Sequence, residues 1–184
     1  MMWVINNYHG NWEWIKEYTD NYVLYDKKDK NVGSNIYDYM DYIVNNYDCL
    51  PDVILFGKSN MLERHITKEE FDKLYQSTGF TPLLTQNHKT YLPVCWYEDG
   101  IYCERNDYWY LNEYPARDMS IIDLLGMRDR KYNKFAPGAC YIVPKANILK
   151  HSKEFYTKLR DSVDYSPHPG EAYLIERSLY HLWK

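Results

Sequence analysis

The residues that could carry chemistry gather after the apolar runs rather than within them. Three short hydrophobic stretches end in polar groups. Trp3-Val4-Ile5 leads into Asn6-Asn7-Tyr8-His9, Tyr22-Val23-Leu24-Tyr25 into Asp26-Lys27, and Asp52-Val53-Ile54-Leu55-Phe56 into Gly57-Lys58-Ser59-Asn60. Between the second and third runs, Asn31-Val32-Gly33-Ser34-Asn35 opens a helical pattern. A helix start offers free backbone N–H groups to an anion or a polar edge. Ligands of open α/β sheets bind outside the carboxyl ends of the strands. The four polar segments would then share one edge. Each alone could be an ordinary polar loop, but their convergence points to a site.

Late in the chain two carboxylates stand out. Glu171 follows Gly170 in the first turn of a final helix, and Glu176 lies beside the stripe Ala172, Ile175, Leu179 and Leu182, near Tyr180 and Trp183. A carboxylate held beside aromatic rings can have a raised pKa, which suits a general base. The plainer alternatives are a helix-dipole acid for Glu171 and a salt-bridge partner for Glu176. Other chemistries lose their usual supports. The six histidines show no H-x-x-x-H or H-E-x-x-H spacing, and the four cysteines (Cys49, Cys95, Cys103 and Cys140) form no C-x-x-C pair, so no metal site is expected from them. Reduced thiols are the expected state. There is no G-x-S-x-G, no P-loop and no G-x-G-x-x-G, which removes the signatures of common hydrolases, kinases and dehydrogenases.

The elements that must position these residues read as an alternation of strands and helices. Trp3-Val4-Ile5 is a strand, Asn11 to Tyr18 a helical stretch with Asn11 as cap, and Tyr22 to Tyr25 a second strand. Ser34 or Asn35 is placed to cap a helix from Ile36 to about Tyr47, because Ile36, Tyr39, Met40, Ile43, Val44 and Tyr47 recur at three- and four-residue spacing. Leu50-Pro51 stops it. Asp52 to Phe56 is apolar throughout, as a central strand covered on both faces would be. Thr67 to Tyr75 predicts a short capped helix, and Gly79 to Tyr114 predicts short strands and long loops shaping an acceptor pocket. Ala136 to Pro144 reads as a tight turn into a strand, Lys145 to Lys150 and Lys153 to Val163 as helices, and Glu171 to Trp183 as the last helix.

Composition bounds the class. At 184 residues, 45% hydrophobic and 26% charged, the chain is long and apolar enough for one domain with its own core. A net charge of -4 without a basic cluster argues against a general nucleic-acid binder, and Asp26-Lys27-Lys28-Asp29-Lys30 carries both signs, as a solvated turn does. The start shows no signal-peptide pattern and no run reaches the roughly 20 apolar residues of a membrane helix, so a soluble, cytoplasmic protein is expected.

The order strand, loop, strand, Asn31-Val32-Gly33, helix and Asp52 to Phe56 strand resembles the nucleotide-binding half of GT-A glycosyltransferases. More closely, Asn31-Val32-Gly33 and the run from Tyr42 to Asp52 (YIVNNYDCLPD) resemble a short related family with the pattern N-x-G-R-E and Y-L-x-Y-I-V-x-N-Y-D-x-L-P-D. Pro137-Gly138-Ala139-Cys140-Tyr141-Ile142-Val143 and Glu176 to Trp183 are similar in kind to its later strand and final helix. Two departures matter. Ser34 and Asn35 stand where that family has Arg-Glu, and Gly57-Lys58-Ser59 stands where larger GT-A enzymes have a metal-binding D-x-D.

The resemblance implies a three-layer α/β/α sandwich with a mainly parallel central sheet, in one domain over residues 1–184. Residues 1–60 would be the nucleotide-binding half and 61–184 the acceptor-side half. It implies transfer of a sugar from a nucleotide-sugar donor to a hydroxyl of a glycan or other acceptor. Asn6, Tyr8 and Asp26 would face the nucleoside, Gly33 and Ser34 would border it, and Lys58 and Ser59 would stand at the diphosphate. With no D-x-D to hold an ion, Lys58 would supply the positive charge itself, helped by Arg64 or His65, so no cofactor or metal is expected. Glu171 or Glu176 would take the acceptor proton. The competing expectation is a catalytically silent nucleotide- or sugar-binding module of a glycan-assembly system, with Lys58 an ordinary solvated lysine.

Overall fold

A computed structural model of the protein describes residues 1–27, 31–85, 95–106 and 116–184. Lys28, Asp29 and Lys30 of the mixed-charge run lie outside the described residues, as does much of the expected loop region between Gly79 and Tyr114. The first three apolar runs become β1 (Met2–Asn7), β2 (Tyr22–Asp26) and β3 (Val53–Lys58). β1 pairs in parallel with both neighbours, Val4 standing in register with Val23 on one side and Phe56 on the other. Between β2 and β3 runs α1 (Ser34–Asn46), and after β3 come α2 (Met61–Arg64) and α3 (Lys68–Leu74). Then follow β4 (Thr81–Pro82), β5 (Cys95–Glu98), β6 (Ile101–Arg105), α4 (Ile121–Leu124) and β7 (Tyr132–Phe135). The chain closes with β8 (Tyr141–Pro144), α5 (Lys145–Ile148), α6 (Lys153–Val163) and α7 (Gly170–Trp183).

The α/β class expected from the sequence is present, and the main sheet is mixed, four strands running one way and β8 running against them. Its order is β2-β1-β3-β8-β4, with β8 antiparallel to both β3 and β4. A second, antiparallel sheet has the order β5-β6-β7. The reversal of β8 has no signature in the sequence, for a simple physical reason. A continuous apolar run reports that both faces of a strand are covered and is silent about its direction.

Strand side chains alternate between two faces, and the cores record the alternation. Val4, Ile54, Phe56, Tyr141 and Val143 join Ile36, Tyr39 and Ile43 of α1 and the buried faces of α6 and α7. Trp3, Ile5, Leu55, Cys140 and Ile142 face the other way, onto Ile15, Met61 and Phe71.

Local chemistry shifts several boundaries. Gly33 takes the cap of α1 at φ 69°, and no side chain caps the first turn, so neither Ser34 nor Asn35 acts as a side-chain cap, and Ser34 opens α1 while itself left-handed at φ 54°. Thr67 caps α3 as expected, accepting from Glu70 N at 3.3 Å. The stretch after Asn11 is a 3-10 turn, Glu13–Glu17, whose first N–H donates to Asn11 Oδ1 at 3.0 Å. Among the described residues no helix is long and apolar enough to cross a membrane.

Candidate functional site

Lys58 ends β3 beside the end of β1, and there a cleft of about 360 Å³ opens between the starts of α1 and α7. Ser34, Asn35 and Ile36 form one wall, and Ala172, Tyr173 and Glu176 the opposite one. Lys58, Arg64, His65, Gly138 and His168 complete the lining. Two permanent cations and two imidazoles thus meet a single carboxylate. Neither Lys58 nor Arg64 forms an ion pair through its side chain with another described residue.

The α1 wall adds to this positive character. Tyr37 N is the first to bond within the helix, to Gly33 O at 3.1 Å. The N–H groups of Ser34, Asn35 and Ile36 precede it and have no intrahelical acceptor. An α-helix N-terminus carries partial positive charge from its aligned peptide dipoles. The lining therefore carries more positive than negative charge, with Glu176 as its one carboxylate.

The turn before β8 joins both walls. Asn35 Nδ2 donates to Gly138 O at 3.0 Å, while Gly138 N donates to Glu176 Oε1 at 2.6 Å. Gly138 has φ 87°, and a Cβ added there would lie 2.5 Å from the His65 ring. Glycine therefore lets His65 close onto the turn that orients Glu176.

The residues expected to act at the site divide into three groups. Ser34, Lys58 and Glu176 line the cleft, together with the two suggested helpers Arg64 and His65. Gly33, Asn6 and Ser59 stand behind it. Gly33 packs on Tyr37 and Val163. Asn6 and Ser59 are buried, Ser59 N donating to Asn6 O at 2.9 Å and Trp14 Nε1 donating to Ser59 O at 2.7 Å. Asn6 Nδ2 donates to Asp38 Oδ2 at 2.5 Å. Burial pushes the Asp38 carboxyl up to about 6, with Lys27 and Asn6 opposing the rise.

Tyr8, Asp26 and Glu171 lie outside the lining. Tyr8 is exposed and packs on His9, and Asp26 accepts from Asn7 Nδ2 at 3.0 Å. Glu171 is fully buried, accepting from Asp118 N at 2.8 Å and from the Tyr165 hydroxyl at 2.5 Å. Its oxygens hold the loop at Asp118 and the chain before α7 in place, so of the two candidate bases Glu176 is the one that reaches the cleft.

Sequence reasoning passed over His168 and Asp38, and took Asn35 for a cap rather than for part of the cleft wall. His168 sits in the proline-flanked break Ser166-Pro167-His168-Pro169, and its place just before the helix bearing Glu176 was the available signal. Asp38 gave none, because an acid one turn into an amphipathic helix reads as a solvated residue. No protein-family model, no curated protein and no solved structure matches this chain.

Proposed function

We propose that the protein is a small GT-A-like glycosyltransferase that moves a sugar from a nucleotide-sugar donor to a hydroxyl acceptor without a D-x-D-bound metal. The observation that carries this reading is the convergence, at the carboxyl end of β3, of Lys58, Arg64, His168 and the uncapped start of α1 on one cleft. A leaving nucleoside diphosphate carries concentrated negative charge. Fixed cations and backbone dipoles aimed at it stabilise that charge as it develops, without reorganising. Glu176 stands across the cleft as the group to accept the hydroxyl proton of the incoming acceptor. The parallel β2-β1-β3 core with α1 between β2 and β3 supports the nucleotide-binding part of the reading.

One observation favours the second reading, a binding module without turnover. Glu176 Oε1 is already engaged by Gly138 N–H, as a structural carboxylate would be. Titration calorimetry against a panel of nucleotide sugars, followed by assay of donor turnover, separates the two. Binding with turnover supports the transferase, binding without turnover supports the module, and no heat with any donor removes the transferase and the nucleotide-binding form of the module. In the Lys58→Ala variant, donor affinity should fall by about 10- to 100-fold, the worth of one hydrogen bond to a charged group. Unchanged affinity and turnover would remove Lys58 from the site.

A further inference from the structure

Lys27 follows β2, and its side chain is only 12% exposed beside a completely buried Asp38. Its ammonium has three donors, and three acceptors surround it. They are Asp38 Oδ1 at 2.8 Å, Val32 O at 2.5 Å and Ser34 O at 3.0 Å. The two carbonyls bracket Gly33, and the backbone turns there through two successive left-handed residues, Gly33 at φ 69° and Ser34 at φ 54°. Glycine holds that conformation freely, but serine does so only against the clash of its Cβ with the backbone. The turn therefore needs support from outside itself.

The pair also reaches the other strand ends. Asp38 Oδ2 accepts from Asn6 Nδ2, and Asn6 O accepts from the N–H of Ser59, the residue next to Lys58. One buried network thus links the ends of β1 and β2, the residue after β3 and the first turn of α1. Stability alone does not call for it. A buried ion pair gains little over a well-packed apolar pair, because the desolvation of both charges offsets their attraction. What the pair supplies is geometry, and the geometry it fixes is the wall of the cleft.

We propose that Lys27 and Asp38 are positioning residues of the cleft. Their ion pair clamps the left-handed turn at Gly33 and Ser34, so that the N–H groups opening α1 and the Lys58 ammonium meet on one anionic group of the ligand. This builds on the anion-binding reading given above. The clamp touches no ligand and acts through Ser34, Asn35 and Ile36.

The test uses the double variant Lys27→Met/Asp38→Asn, which leaves no unpaired buried charge and keeps an oxygen for Asn6 to donate to. Two quantities are read: amide hydrogen exchange along α1, and binding of inorganic pyrophosphate by calorimetry. Exchange at Gly33 and Tyr37, whose N–H groups donate to Ser166 O and Gly33 O, should speed up by about tenfold or more while residues 40–44 keep their protection. Pyrophosphate affinity should fall by about tenfold, since the donors are no longer pre-organised. Adding Ser34→Gly to the double variant should recover part of both losses, because glycine holds the left-handed turn unaided. Should the double variant not fold, Lys27→Gln/Asp38→Asn, which keeps a donor for one carbonyl and leaves no unpaired charge, should give the same changes at smaller size. Wild-type exchange rates at Gly33 and Tyr37 in a folded variant would overturn the clamp. Faster exchange with unchanged pyrophosphate affinity would overturn its role in the cleft. If the wild-type protein takes no pyrophosphate, the anion reading and the positioning role fall together, and the exchange rates still decide whether the clamp exists.

Discussion

Glu176 holds two positions at once, acceptor of the Gly138 N–H and sole carboxylate in the cleft lining. A carboxylate has two oxygens, so one can stay on the turn while the other faces an acceptor hydroxyl. Glu176→Gln separates the roles, since the amide oxygen can keep the Gly138 bond while the proton acceptor is lost. Under the transferase reading, turnover should fall about 10²- to 10⁴-fold with donor affinity and thermal midpoint nearly unchanged. A variant that turns over at the wild-type rate would leave Glu176 a purely structural residue. Glu171 shows why the choice between the two acids was not open to sequence reasoning. Its place in the first turn of α7 is the same whether it faces a cleft or, as here, disappears into bonds with Asp118 N and the Tyr165 hydroxyl. Those partners are distant in sequence or lie before the helix, and nothing in the local pattern announces them. Lys58 was legible for the opposite reason, because the end of an apolar strand fixes where its side chain emerges.

The opening of α1 is the element on which the site depends most directly. Gly33 is required there twice over, by its left-handed φ of 69° and by space, since a Cβ would lie 2.4 Å from Cβ of Tyr37 and 3.1 Å from Val163 O. Gly33→Ala should therefore destabilise the fold by about 2 kcal/mol, seen as a lower urea midpoint at unchanged slope. A midpoint equal to wild type would show that the first turn can be rebuilt at no cost. Elements of this kind were readable from the chain to the extent that a periodic pattern ran long enough. The 13-residue α1 and the 14-residue α7 emerged within a few residues of their bounds, as did the strands β1, β2, β3 and β8. The four-residue α2, α4 and β7 did not, because so short a segment holds barely one period of any pattern, whereas the equally short β8 and α5 were marked by the Pro137-Gly138 turn and by Pro144. β7 alternates half-buried and buried residues only because α7 covers it, which is a tertiary fact.

Across the whole molecule, α7 is the joint between the two sheets. Toward the small sheet, Arg177 forms an ion pair with buried Glu104 of β6 at 3.1 Å, and His181 Nε2 accepts from Lys134 N of β7 at 3.1 Å. Toward the large sheet, Trp183 stacks on Phe56 of β3 at 5.2 Å and meets Tyr141 of β8 edge-on at 5.7 Å. Its indole N–H donates to the hydroxyl of buried Tyr156 at 3.2 Å, which brings α6 into the same contact. A helix bonded to both sheets couples their unfolding, since neither can lose its face of α7 without exposing the other's. Trp183→Ala tests that coupling. Removing so large a buried ring should cost about 3–5 kcal/mol. If the chain is one cooperative unit, the opening free energies read by amide exchange in β3 and in β6 should fall together by that amount. A loss confined to β3, with β6 protected as before, would make the sheets independent units. The cleft would then answer only to the unit that holds β1, β3 and α1, and α7 would carry Glu176 to it as a tether rather than as part of one rigid frame.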